Sequence, residues 1–224
     1  MCEETGLPPD IFEVRVDTIA DQETGMTTAS RATSLMGNAM LDASKHFKED
    51  LQTHSLSELV GKTYDGAWQI DWTTEIGADV ETIRTHYSYG YATQLVILDS
   101  DGQLKKVVAA HDAGRIMNRN FFEGQVEGAV HMGLGYALSE DMPMQDGFPE
   151  STHLRKMGIL RAKEMPEVEV IGVEVHDPYG PYGAKGVGEI GLVPTAGAVA
   201  NALFDFDGVH RHKLPMSLPK KKRK

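Results

Sequence analysis

The chain has 224 residues and a mass of 24.6 kDa, with 41% hydrophobic and 25% charged residues. That composition can bury a core, fits one domain or two small ones, and excludes disorder along the whole length. No apolar run approaches the roughly 20 residues of a membrane-spanning helix, and the acidic start, MCEETGLPPD, lacks the apolar core of a secretory signal. A cytoplasmic location is the expectation.

Acidic residues outnumber basic ones 33 to 22, for a net charge of −11. Five of the basic residues occupy Lys220–Lys224, so the body is more acidic still. Nucleic-acid binding needs a basic face and is disfavoured. Cys2 is the single cysteine. The chain therefore forms no internal disulfide, no four-thiolate iron–sulfur cluster and no Cys-rich zinc site.

Taken in chain order, Ile11 to Asp17 alternates apolar Phe12, Val14 and Val16 with polar neighbours, the period of a half-buried strand. A polar loop runs to Ser30. Ala32, Leu35, Met36, Ala39, Met40, Ala43, Phe47 and Leu51 then recur at helical spacing. Thr28 or Ser30 is available as N-cap, and the methionines read as core. Residues 53–91 are irregular, with a short strand near Trp68–Trp72. Gln94–Leu98 and Leu104–Ala110 form a hairpin about Asp99–Gly102. A helix from Asn120 to Ala137 carries Gly124, Gly128, Gly133 and Gly135, each costly in a helix. The Gly124/Gly128 face implies close approach of a helix or ligand. Asp141–Lys163 reads as a long loop or weak helix, Val168–Val175 as a strand, and Pro194 opens a last helix burying Ala198, Val199, Ala202 and Leu203. His210–Leu214 reads as a short closing strand. There is no internal repeat, and the irregular mixture of strands and helices gives an α+β class.

Chemistry concentrates in three places. Gly180–Glu189 holds four glycines, Gly180, Gly183, Gly186 and Gly188, and ends in one carboxylate, Glu189. It is not a Walker A loop, since Ala184 precedes Lys185 and Gly186 follows it, and its Gly-x-x-Gly-x-Gly order reverses the dinucleotide fingerprint. What remains is a backbone cradle beside a carboxylate, or a tight surface loop with an incidental Glu. Gln125 lies on the first turn of the glycine-rich helix, where its amide could meet an anion or merely cap. Thr27–Thr33 gathers hydroxyls and Arg31 at another helix start, suited to an oxyanion or to ordinary capping. The nine histidines form no metal-binding pattern. His210 and His212 read as exposed, His111 as packed at a strand end.

Thr28-Ala29-Ser30-Arg31-Ala32-Thr33, His111-Asp112-Ala113-Gly114-Arg115 with Glu123-Gly124-Gln125-Val126-Glu127-Gly128-Ala129, and Gly180–Glu189 occur in one order. Together they resemble the C-terminal part of the molybdenum subunit of the xanthine dehydrogenase/aldehyde oxidase family. The resemblance covers about Leu7 to Met216, nearest the bacterial purine-hydroxylase branch. It implies the second molybdopterin-binding domain over residues 1–216, incomplete at its N-terminus, followed by a basic tail over 217–224. It implies a molybdenum–molybdopterin cofactor, often the cytosine dinucleotide form in bacteria. The implied reaction is hydroxylation of an electron-poor carbon of a purine, N-heterocycle or aldehyde, with oxygen from water.

Glu189 falls on the family's catalytic base, the group that removes the proton of the attacking hydroxyl, and is expected to be buried in the glycine-rich wall. Gln125 falls on a cofactor hydrogen-bonding position. Ala29, Ser30, Arg31 and Thr33 fall around the metal's oxygen ligands and the pterin, and Gly183, Ala184, Lys185 and Gly186 on the cradle. The pterin dithiolene holds the metal, so no protein metal ligand is implied.

Family subunits extend much further upstream. The resemblance therefore implies a partner chain supplying that half of the site, with iron–sulfur and flavin (FAD) subunits relaying electrons from a small-molecule substrate; neither nucleic acid nor membrane is implied. The alternative is a non-catalytic remnant or assembly module. Pro219–Lys224 looks like a monopartite nuclear signal, or is simply a solvated tail.

Overall fold

The computed structural model describes residues 1–15, 19 and 25–219. They divide into two compact units. One comprises Met1–Tyr89 with His176–Gly186, the other Gly90–Val175 with the chain from Val187 onward.

The second unit carries the sheet. β1 (Ala92–Leu98) and β2 (Leu104–Asp112) pair antiparallel, and β2 pairs parallel with β5 (Glu167–Val173), giving the order β1-β2-β5. The hairpin forms because Asp99 accepts from the amides of Asp101 and Gln103, both at 2.9 Å, while Gly102 takes a left-handed φ of 75°. α3 (Arg119–Leu138) begins at Asn118, whose side chain accepts from the Phe121 amide at 3.1 Å. Short strands β3 (Met144–Gln145) and β4 (Phe148–Pro149) make a small hairpin in the long loop after it. α4 (Thr195–Asp207) follows Pro194 and ends at Gly208 in the left-handed conformation.

Val96, Val107 and Ala109 of the sheet bury against Phe122, Val126, Val130 and Leu134 of α3 and Val199 and Leu203 of α4. The alternation legible in the sequence selects the core-facing side of β1 and β2. Of the two approaches expected at the glycines of α3, no helix among the described residues comes close to the Gly124/Gly128 face. A Cβ at Gly124 or Gly128 would meet open space, whereas one at Gly133 would collide with Thr195 of α4. Close helix approach thus occurs at the other end of α3.

The first unit is built on α2 (Ala32–Asp50) and the very short α1 (Cys2–Thr5). Phe47 of α2 packs edge-on against Phe12 and Tyr64, and Lys48 pairs with Glu4 at 2.9 Å. The N-cap of α2 is Arg31, with no side-chain cap bond, in place of Thr28 or Ser30. Both candidate caps stand outside the geometry because Ala29 and Ser30 take φ of 50° and 54° in a tight turn, closed by the Arg31 amide on the Thr28 carbonyl at 3.1 Å. Ser34, Ser44 and Phe47 are the buried residues of α2, whereas Met36 and Met40 are exposed. The methionines share the face of α2 that Phe47 marks, but at 37% and 39% exposure they are not core.

Three expected strands differ. Residues 12–15 belong to no strand, after a 3-10 turn at Pro9–Ile11, and Val14 is exposed; Val16 and Asp17 lie outside the described residues. Trp68–Trp72 and His210–Leu214 form no strand, since no neighbour completes a ladder; His210 instead stacks on Phe204 with centroids 4.2 Å apart. In the expected tail, Leu218 packs against the core of the second unit and the Pro219 carbonyl accepts from Gln103 at 2.7 Å, whereas Lys220–Lys224 lie outside the described residues.

Candidate functional site

In the first unit, the Thr28–Arg31 turn and the glycine-rich loop come together. A Cβ on Gly186 would collide with the Ser30 carbonyl. Gly186 is thus fixed by backbone-on-backbone contact with Ser30. It does not have the positive φ found at Gly183, 85°. Asp177, 4% exposed, shapes the loop's entrance. Its Oδ1 accepts from the amides of Tyr179 at 2.8 Å and Gly180 at 3.0 Å, and its Oδ2 accepts from Ser88 Oγ. Glycine and proline alone would not define this turn; the aspartate satisfies the amides that the turn exposes.

Lys185, buried beside Ala184, donates its ammonium to the Tyr89 carbonyl at 2.9 Å. Arg31 donates Nε to the Met26 carbonyl at 2.6 Å. Ala29 and Thr33 are exposed and Ser30 half-buried. The nineteen-residue α2 presents an uncapped N-terminus to the Ala29–Ser30 turn, with Thr33 in its first turn and Arg31 at its cap. The first N–H groups of a helix have no intrahelical partner and are oriented donors, matched to pterin heteroatoms or phosphate oxygens. The residues present therefore fit a molybdopterin-type group.

In the second unit, Glu189 precedes a 3-10 turn, Ile190–Leu192. Gln125 donates Nε2 to the Gly188 carbonyl at 2.8 Å, so Gln125 and Glu189 are neighbours across α3 and this turn. Gln125 lies in the second turn of α3, not the first, because the helix starts at Arg119. Gly191 packs so tightly on α3 that a Cβ there would collide with Ala129. Glu189 is exposed, contrary to the expectation of a buried carboxylate. The short turn that carries it leaves its side chain at the surface of this unit.

Behind the turn lies a polar group inside the core. Gln94 of β1 donates Nε2 to the Gly191 carbonyl at 2.6 Å and accepts from Thr195 Oγ1 at 2.8 Å. Its Nε2 also lies 3.2 Å from Nε2 of His111. His111 and Thr195 are completely buried. Burial in an apolar environment holds the His111 pKa below its usual value. Motif reading does not single out Gln94 or Thr195. The signal that could find Gln94 is a polar residue in phase with Val96 on an otherwise apolar strand face.

Among the described residues, no cluster of three or more His, Cys, Asp or Glu could hold a metal ion, and no helix is long and apolar enough to cross a membrane. An open cavity in the second unit, about 690 Å³, is lined by the bare Gly124 and Gly128 face with His131 and Leu160.

Residues 52–166 match the molybdopterin cofactor-binding domain family. The chain is 35% identical over 151 residues to 6-hydroxypseudooxynicotine dehydrogenase complex subunit gamma of Paenarthrobacter nicotinovorans, covering 63% of this chain and 19% of that protein. It is 28% identical over 240 residues to a probable xanthine dehydrogenase subunit of Bacillus subtilis, covering 93% of this chain and 32% of that protein. Among solved structures, the aldehyde oxidoreductase from Desulfovibrio gigas superposes with a TM-score of 0.72 at 25% identity, over 86% of this chain and 22% of that one. The chain thus spans a third or less of the length of these relatives. With an α+β fold that matches theirs, it belongs to the molybdopterin cofactor-binding domain family, as a partial molybdenum subunit of the xanthine dehydrogenase and aldehyde oxidoreductase type.

Proposed function

We propose that this chain supplies the catalytic base and part of the cofactor-binding residues of a molybdenum hydroxylase acting on a purine, N-heterocycle or aldehyde. The observation that carries the proposal is the Gln125–Gly188 bond, which seats the carboxylate-bearing turn on the glycine-rich helix. When bound, the molybdenum–pterin group supplies two-electron oxidation with oxygen drawn from water.

The chain's own contributions are binding, orientation and proton transfer. Ala29, Ser30, Arg31 and Thr33 offer backbone and side-chain donors at the start of α2, and Gly183, Ala184, Lys185 and Gly186 form the loop against them. Gln125 keeps its Oε1 for a donor while Nε2 holds Gly188. Glu189 accepts the proton of the attacking oxygen nucleophile at a carboxylate oxygen. A general base so placed accounts for about 10²–10⁴ in rate.

The chain corresponds to a small share of its relatives, and the relatives include a subunit of a dehydrogenase complex. A partner bearing the upstream half of the molybdenum subunit, with iron–sulfur and flavin subunits, is part of the proposal, as are the cytosine dinucleotide form of the cofactor and a cytoplasmic setting. Purification of the tagged full chain from its own cells, followed by metal analysis, tests this. Molybdenum in a complex with a longer partner is the expected result. A metal-free chain without a partner would favour a non-catalytic remnant.

A further inference from the structure

We propose that Gln94 and His111 are positioning residues for Glu189: Gln94 holds the turn that follows it, and His111 fixes the direction of the Gln94 amide. This rests on the reading of Glu189 as the base.

Gln94 shares the core-facing phase of β1 with Val96. Its Nε2 lies 2.6 Å from the Gly191 carbonyl. Reversing the amide would set two carbonyl oxygens against each other at that separation, so the orientation is determined. The Thr195 hydroxyl then donates to Oε1 at 2.8 Å. The second Nε2 proton faces His111 Nε2 at 3.2 Å, and an amide nitrogen can only donate. That ring nitrogen must therefore accept, which places the His111 proton on Nδ1. Nδ1 is buried with no hydrogen-bond partner among the described residues.

A buried donor without an acceptor is costly, and an apolar residue would fill this part of the core at lower cost. What the polar pair adds is one directed bond to one carbonyl, that of Gly191. On the other side of Glu189, Gln125 makes the matching bond to the Gly188 carbonyl at 2.8 Å. Glu189 thus sits between two carbonyls, each held by a glutamine amide. A one-ångström drift of a catalytic group is enough to lose about 10²-fold in rate.

The test uses the assembled, loaded complex. Gln94→Met and His111→Phe lower kcat about 10- to 100-fold, with KM and molybdenum content unchanged. His111→Gln, whose carbonyl oxygen can still accept, restores most of the lost kcat. Should Gln94→Met lose metal or solubility, Gln94→Glu takes its place with the same expectation, since it keeps the Thr195 bond and opposes Gly191. Independently of turnover, hydrogen–deuterium exchange over residues 187–194 of the full chain quickens in Gln94→Met. Nitrogen-15 shifts report His111 protonated on Nδ1. Wild-type kcat in both Gln94 variants, or no rescue by His111→Gln, overturns the inference. If Glu189→Gln keeps its turnover, the base reading fails instead, and the exchange result still reports whether Gln94 anchors the turn.

Discussion

Gln125 reaches from the second turn of α3 to the Gly188 carbonyl, 2.8 Å away and one residue before Glu189. Three elements distant in sequence thereby meet in one unit: the glycine-rich helix, the end of the glycine-rich loop, and the turn into α4. Gln125 is exposed, so Gln125→Met should cost the fold about 1 kcal/mol or less, the worth of one hydrogen bond. Molybdenum content of the assembled complex is expected to fall much further, because the amide has a second face to offer the cofactor. Metal analysis beside thermal unfolding checks this. Equal losses in both would contradict it.

Gly186→Ala should disturb the first unit through its backbone contact. A Cβ at that position collides with the Ser30 carbonyl, so the Thr28–Arg31 turn must move. The expected outcome is loss of most molybdenum from the complex while α4 and the sheet of the second unit remain folded. Circular dichroism with metal analysis reads both. Full molybdenum occupancy would show that the turn and the loop do not act together.

How much of this was legible in the sequence differs between the two units. In the second, β1, β2, α3, β5 and α4 follow from periodicity because each buries one face in a shared core, and Val107, Val126, Val130 and Leu203 carry that signal. In the first, pattern misled. Met36 and Met40 have helical spacing on the side of Phe47 yet are left more than a third exposed, and Ile11–Arg15 alternates without a neighbouring strand to pair with. The site motifs were legible as residues but not as contacts. That Gly186 serves Ser30, and that Ser88 braces Asp177 at the loop's entrance, depends on backbone separated by about 90 to 160 residues. The exposure of Glu189 was not legible, because burial depends on what surrounds the turn and not on its own sequence.

The core itself is testable in the full chain. Leu203 of α4 and Leu134 of α3 are completely buried. Leu203→Ala should destabilise the second unit by about 2–5 kcal/mol, the transfer loss plus the cavity left behind. Denaturant unfolding followed by far-ultraviolet circular dichroism measures it. A loss below about 1 kcal/mol would mean that α4 is not packed as described.

His111 gives a pH dependence with a definite sign. Burial lowers its folded pKa, so the unfolded chain binds the proton more readily. The stability it contributes is present above the unfolded value, about 6.5, and is lost as pH falls through that value toward the folded one. Stability of the full chain should thus drop as pH falls from about 7 to about 5, and His111→Gln should flatten that drop. Unfolding midpoints across this range decide it. An unchanged slope in the variant would remove His111 as the source.

The central claim is that Glu189 is the base. Glu189→Gln preserves shape and removes the proton acceptor, so the assembled complex should retain near-normal molybdenum while kcat falls about 10²–10⁴-fold. Turnover normalised to molybdenum is the measurement. That loss at full metal occupancy is the predicted result; turnover within about threefold of wild type would contradict the account.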